Sequence, residues 1–132
     1  MKKILALLTV FLMLTACSDD DDASNQGEDK IVGTWFLVDW NLSPAVAGGP
    51  TECNMNSNLV FNADNSADSE FFEEIDGNCV SDAQSGDWEA HGNNQYTFEV
   101  PTIGEQRGTV TFEGDNRFTF TVTGGLSMTF EK

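Results

Sequence analysis

The sequence predicts an all-β domain over residues 31–132: a small antiparallel up-and-down meander barrel of about eight strands. The first observation is that apolar and polar residues alternate with period two, most clearly in the second half of the chain. The second is that the connections between these runs are short and rich in Gly, Asn and Asp, which tolerate positive φ. Because an open meander of eight strands would expose two edges, we expect it to close into a barrel.

Residues 1–16 are expected to be a lipoprotein signal peptide. Two lysines precede an apolar run, residues 4–14, which is shorter than the roughly 20 residues that a membrane-spanning helix needs. Leu14-Thr15-Ala16-Cys17 follows directly and resembles the lipobox of bacterial lipoproteins. The resemblance implies cleavage before Cys17 and acylation of that cysteine with chains such as palmitate, which would anchor the protein to a membrane. The alternative is an ordinary secretory signal followed by an incidental cysteine.

The segment after the lipidated cysteine is expected to be a flexible acidic tether, so that residues 17–30 link the anchor to the barrel. Residues 18–30 contain no aromatic or branched aliphatic residue and cannot form a core. Four aspartates at positions 19–22 also resemble the export signal by which some Gram-negative bacteria send lipoproteins to the cell surface. We therefore expect an outer-membrane location, with the cell surface favoured slightly over the periplasmic face.

From Ile31 onward the chain is expected to form strands and no helix. β-branched and aromatic residues dominate the runs in which alternation is strict, as is typical of a sheet with one face in water. The predicted strands are residues 32–40, 58–63, 68–75, 86–90, 95–100, 109–113, 117–122 and 126–130.

Two cysteines, Cys53 and Cys79, remain once Cys17 is lipidated. In an oxidising envelope compartment such a pair predicts a structural disulfide. A redox or metal-binding pair is the alternative, but the CxxC-like spacing or the additional ligands that it needs are not in the sequence.

The start of the first strand, Ile31-Val32-Gly33-Thr34-Trp35, contains a Gly-x-Trp signature. With Cys53, Cys79, the stretch 59–65 and a later Gly86-Asp87-Trp88, it makes residues 31–132 resemble the lipocalin-like domains of bacterial envelope lipoproteins. We expect Trp35 to plug one end of the barrel, Gly33 to allow close passage of the backbone, and Trp88 to act like Trp35. Lipocalins are longer and carry an external helix that is absent from this sequence pattern, so any cavity should be small.

Composition and motifs weigh against several classes of function. Removing residues 1–16 takes away two lysines and no acid, which leaves 4 basic and 22 acidic residues and a net charge of −18. Nucleic acid is therefore not an expected partner. Motifs for nucleophilic, zinc, phosphate or dinucleotide chemistry are absent from the sequence, so we expect no enzyme, no catalytic residue, no cofactor and no metal. His91 is expected in an exposed turn, and the acidic residues that follow Asn62 do not match a calcium loop.

Two functions remain open. The barrel could bind a small lipophilic ligand, as the resemblance implies, or it could be a packed, non-catalytic platform for a protein partner. The loop 41–52 is long and apolar and suits either a cavity lid or a docking patch. The residues expected to line a cavity are Leu59, Phe61, Tyr96, Phe98, Val110, Phe112, Phe118, Phe120 and Met128.

Overall fold

Eight antiparallel strands close into one barrel in sequence order, with β8 pairing back to β1. The computed structural model describes residues 29–100 and 103–132. The predicted fold class is confirmed. The expected signal peptide, the expected lipidation site Cys17 and the expected tether up to residue 28 lie outside the described residues. The strands are β1 (Gly33–Asn41), β2 (Asn58–Phe61), β3 (Ser66–Ile75), β4 (Asn78–Gly92), β5 (Gln95–Val100), β6 (Gly104–Glu113), β7 (Arg117–Val122) and β8 (Ser127–Glu131).

The meander places alternate connections at opposite ends of the barrel. We call the end where β1 begins the base; the β2–β3, β4–β5 and β6–β7 turns lie there. The other end, here the upper end, carries the long β1–β2 connection and the β3–β4, β5–β6 and β7–β8 connections. Of the helices in the described residues, none has both the length and the apolar character needed to cross a membrane.

Strand β4 is much longer than the sequence pattern predicted. The sequence pattern predicts a strand at 86–90, but β4 begins at Asn78 and pairs with β3 up to the tip, where Ile75 lies opposite Asn78. Alternation fails here because residues 78–83 are exposed on both faces, so neither set of side chains needs to be apolar. Strand β6 likewise begins at Gly104 instead of 109.

Strand β2 is short, and the segment before it fills the space above it. The backbone N–H of Leu37 in β1 donates a hydrogen bond to the Ser57 carbonyl at 2.9 Å. The backbone N–H of Phe72 in β3 donates to the Ser57 hydroxyl at 2.8 Å. A 3-10 turn, Asn54–Asn56, precedes it, and the Asn54 amide donates to the Phe72 carbonyl at 2.9 Å. The β1–β2 connection is therefore fastened to both β1 and β3.

The predicted disulfide between Cys53 and Cys79 is confirmed. The two Cα atoms lie 5.6 Å apart, and the bridge joins the β1–β2 connection to the first residues of β4. It therefore holds the protruding β3–β4 hairpin against the rest of the upper end.

Aromatic rings fill the barrel. Trp35, Phe61, Phe98, Phe118 and Phe120 are each less than 2% exposed. The ring centroids of Phe98 and Phe120 lie 4.3 Å apart, and those of Trp35 and Phe118 lie 4.7 Å apart. At these separations the rings are in direct contact, so the middle of the barrel is packed with the chain's own side chains.

Candidate functional site

An apolar hollow opens at the upper end, between the ends of β5 and β7 and the start of β8. We call it the upper hollow. Its free volume is about 10 Å³, which is room for about one water molecule. Phe120 and Met128 are buried, whereas Ile103 at the rim is exposed. Its lining consists of Leu42, Val100, Ile103, Phe120, Val122, Leu126, Ser127 and Met128.

Most residues expected to line a cavity are instead packed against one another in the core. Leu59, Phe61, Tyr96, Phe98, Val110, Phe118, Phe120 and Met128 are buried, and Phe112 is partly buried beside them. Of the nine, Phe120 and Met128 border the upper hollow. Leu59, Phe61 and Phe98 border a second small space, also of about 10 Å³, between β2–β3 and β4–β5. The sequence-predicted set therefore describes the filling of the barrel more than the wall of a chamber.

Trp35 lies at the base and is completely buried. Its indole N–H donates to the Ile31 carbonyl at 2.6 Å, which satisfies the polar atom that burial would otherwise leave unpaired. A Cβ on Gly33 would lie 2.9 Å from Cε of Lys132, and the φ of Gly33 is 136°, a conformation that side chains rarely adopt. The close approach at Gly33 is thus to a lysine side chain, not to backbone.

Trp88 also lies toward the base, where its indole N–H donates to the Asn62 carbonyl at 2.8 Å. Its ring packs edge-on against Phe61, with centroids 6.1 Å apart. Trp35 and Trp88 are therefore both remote from the upper hollow.

Two residues that the sequence assigned to the tether contact the base. The Asp29 carboxylate accepts a hydrogen bond from the Tyr96 hydroxyl at 2.7 Å, and Lys30 pairs with Asp115 at 3.3 Å. Burial, reinforced by the hydrogen bond to Asp29, raises the pKa of Tyr96 well above its ordinary value of 10.0. The chain thus enters the barrel at a fixed point on the base.

Trp40 is the tryptophan at the upper end, and it is not among the site residues predicted from the sequence. It lies opposite Met128 in the β1–β8 register, and its ring stacks on Phe71 at 6.2 Å. The indole N–H donates to the Gly48 carbonyl at 3.1 Å, which ties the β1–β2 connection to β1. Its position at the end of an apolar strand, directly before the long apolar loop, was the available signal.

A short polar chain runs along the outside of β4 and β5. His91 lies in β4, not in the expected turn; Nε2 is 2.7 Å from the Thr97 hydroxyl and Nδ1 is 3.8 Å from the Glu89 carboxylate. All three residues lie on the outer face, and none of them lines the upper hollow or the space between β2–β3 and β4–β5.

The turn between β2 and β3, whose sequence does not match a calcium loop, is held by hydrogen bonds between its own residues. The Asp64 carboxylate accepts hydrogen bonds from the hydroxyl and the N–H of Ser66. These bonds, the hydroxyl first, lower the pKa of Asp64. Within residues 29–100 and 103–132, groups of three or more potential metal ligands are not found.

Comparison with known protein families gives one match of full domain length. A family model described as a lipocalin-like domain matches residues 31–132. A search of curated proteins found no match to this chain.

Proposed function

Starting from the chain's membership of the lipocalin-like domain family, we propose that it is a lipid-anchored envelope lipoprotein whose barrel binds one small lipophilic ligand at its upper end. The observation that carries the proposal is the upper hollow, whose lining is apolar apart from Ser127. Pockets of this chemistry favour apolar ligands because binding removes apolar surface from water.

Ligand binding in this barrel must be shallow. Below Phe120 and Met128 the rings are in contact, so a ligand cannot descend without unpacking the core. The space of about 10 Å³ must also grow, and the side chains able to yield are those at the rim, Leu42, Ile103 and Leu126. The fitting ligand is therefore a short acyl chain or a single small ring system.

Trp40 reports binding at this end, whereas Trp35 and Trp88 lie toward the base. We would titrate the full chain, in nonionic detergent kept below its critical micelle concentration, with short fatty acids and with the neutral dye phenylnaphthylamine, and follow tryptophan fluorescence. Saturable quenching that disappears in Trp40→Phe is expected. Val122→Phe, which fills the upper hollow, should abolish binding, and Val60→Phe, outside the hollow lining, should leave it unchanged. Absence of saturable quenching by every compound tested would contradict ligand binding.

A non-catalytic interaction platform is the second candidate. Large apolar side chains are exposed around the upper end, among them Val46, Met55, Ile75, Val80 and Ile103. Such side chains, carried on a packed and disulfide-bridged barrel, suit contact with a protein partner. Failure of the ligand titration combined with loss of a partner on substitution of these residues would favour this function.

The anchoring part of the proposal rests on the sequence motif at Cys17. Expression with labelled palmitate in a Gram-negative host should label the protein, and Cys17→Ser should abolish both label and membrane retention. Replacing the four aspartates at positions 19–22 with alanine should keep the label but reduce access of added protease to the protein on intact cells. Labelling of the Cys17→Ser chain would refute lipidation at this residue.

A further inference from the structure

The first nine residues of β4 form a sheet edge. Residues 78–87 pair with β3 without a register break, from Ile75 opposite Asn78 to Ser66 opposite Asp87. Strand β5 joins β4 only from Trp88 onward. Among residues 29–100 and 103–132, the other side of residues 78–86 has no strand partner, and we call this segment the free edge.

The alternation of the ladder shows which groups the free edge presents. The Trp88 N–H donates to the Asn65 carbonyl, 2.9 Å, on the β3 side. In an antiparallel strand, successive residues point their backbone groups to opposite sides. Because the register is unbroken, the N–H and C=O groups of Ser81, Ala83 and Ser85 point away from β3. They form a ready template for one more strand.

The free edge is held in its extended form before any partner arrives. Cys79 is bridged to Cys53, and the segment that follows Cys53 bonds to Phe72 of β3 through Asn54 and Ser57. A template fixed in this way loses little conformational entropy when a strand adds to it, which favours binding.

Charge selects the kind of strand that can add. Between Ser66 and Gly92 the chain has eight acidic residues and no Lys or Arg, and Asp82 lies on the free edge itself. Sheet edges are commonly protected by Lys or Pro, and residues 78–86 contain neither. With a net charge of −16 for the chain, a second copy would be repelled, whereas a basic segment would be attracted.

A surface cavity beside the free edge fits a long basic side chain. It has a volume of about 200 Å³ and is lined by Phe71, Glu73, Ile75, Val80, Ser81 and Asp82. The apolar walls can cover the stem of a Lys or Arg, while the two carboxylates face its cationic head. Val80 and Ile75 are 39% and 47% exposed, so they have surface left to bury.

We propose that the free edge binds an extended segment of a partner protein by strand addition, and that this segment carries Lys or Arg at alternate positions. Backbone hydrogen bonds would supply part of the affinity, and the cavity with its two carboxylates would select the side chain. This site shares no residue with the upper hollow. The proposal of ligand binding and the proposal of strand addition can therefore be refuted independently of each other.

The test uses the full chain in nonionic detergent and an eight-residue peptide of alternating Lys and Thr. Saturable binding is expected, with NMR shifts concentrated on the amides of Ser81, Ala83 and Ser85. Ala83→Pro removes an outward N–H, leaves the β3 ladder intact and should weaken binding about tenfold. Ala83→Val, which keeps the N–H, should change it less than about twofold. Asp82→Asn should weaken binding and reduce its salt dependence.

A second peptide keeps the proposal falsifiable if Ala83→Pro fails to fold. The same peptide methylated on every backbone nitrogen keeps all its charges but has no backbone donor, and it should not bind the unsubstituted chain. Equal binding of both peptides would mean charge attraction alone and would overturn the proposal. Absence of saturable binding, or dimerisation of the chain in sedimentation, would overturn it as well.

Discussion

The ammonium nitrogen of Lys132 lies 4.7 Å from the centroid of the Trp35 ring. Trp35 is completely buried, and the stem of Lys132 passes Gly33 so closely that a Cβ there would meet it at 2.9 Å. The backbone N–H of Lys132 also donates to the Asn116 carbonyl at 2.9 Å. One lysine therefore covers the tryptophan at the base, through both its cation and its apolar stem.

Removing the Lys132 side chain should destabilise the packing around Trp35 at the base. We expect Lys132→Ala to lower the free energy of unfolding by about 1 kcal/mol, the sum of a cation–π contact and some stem burial. Lys132→Met, which keeps most of the stem, should recover about half of the loss. Urea titrations followed by tryptophan fluorescence measure both. Equal stability of all three proteins would mean that the contact contributes nothing.

Gly108 should not tolerate even a methyl group. A Cβ there would lie 2.5 Å from the Thr121 carbonyl and 2.6 Å from the Phe120 ring. Backbone cannot retreat as a side chain can, so Gly108→Ala should cost about 3 kcal/mol or more of unfolding free energy. Gly86→Ala is the matched control, because its Cβ would meet only the Glu99 side chain, whose flexible carboxylate is the nearest group at 3.3 Å. A loss no larger than that of Gly86→Ala would contradict the clash.

Reduction of the Cys53–Cys79 bridge should destabilise the barrel without changing its fold. The bridge spans 26 residues. On the chain-entropy model, a loop of that length corresponds to about 3.5 kcal/mol of stabilisation. The double variant Cys53→Ser with Cys79→Ser should show a loss of this order in denaturant titrations, and adding reductant to the variant should have no further effect. A loss below about 1 kcal/mol would refute the estimate.

Stability should fall at alkaline pH through Tyr96, the single tyrosine of the chain. Its pKa is raised in the fold by burial and by the hydrogen bond to Asp29, so its contribution is fully present below the unfolded value of 10.0 and is lost as pH rises above it. Tyr96→Phe should remove this part of the pH dependence. Denaturant titrations at stepped alkaline pH, with tyrosinate absorbance recorded in parallel, measure it. Ionisation of Tyr96 in the folded chain near pH 10 would contradict the prediction.

The barrel class was predictable because most strands bury one face and leave the other in water. Phe118 and Phe120, for example, alternate with exposed or half-buried threonines, so the strand can be recognised from the sequence. Residues 78–83 have no such constraint, since both of their faces are exposed, and the sequence could not distinguish them from a loop. The candidate site was missed for a related reason. Leu42 and Ile103 lie in connections, where no alternation marks them, and Leu126 belongs to the predicted run 126–130 but is not among the residues expected to line a cavity.

Local pattern thus determined β5, β7 and most of β8, the meander and the pairing of Cys53 with Cys79, because each depends on short-range periodicity or on simple counting. Tertiary structure decided whether the apolar side chains inside the barrel surround a cavity or pack against one another. Phe98 and Phe120 are apolar in either case, and only the closed barrel brings their rings to 4.3 Å. Tertiary structure also decided that β4 has a free edge. The edge exists because β5 ends before it reaches the upper part of β4.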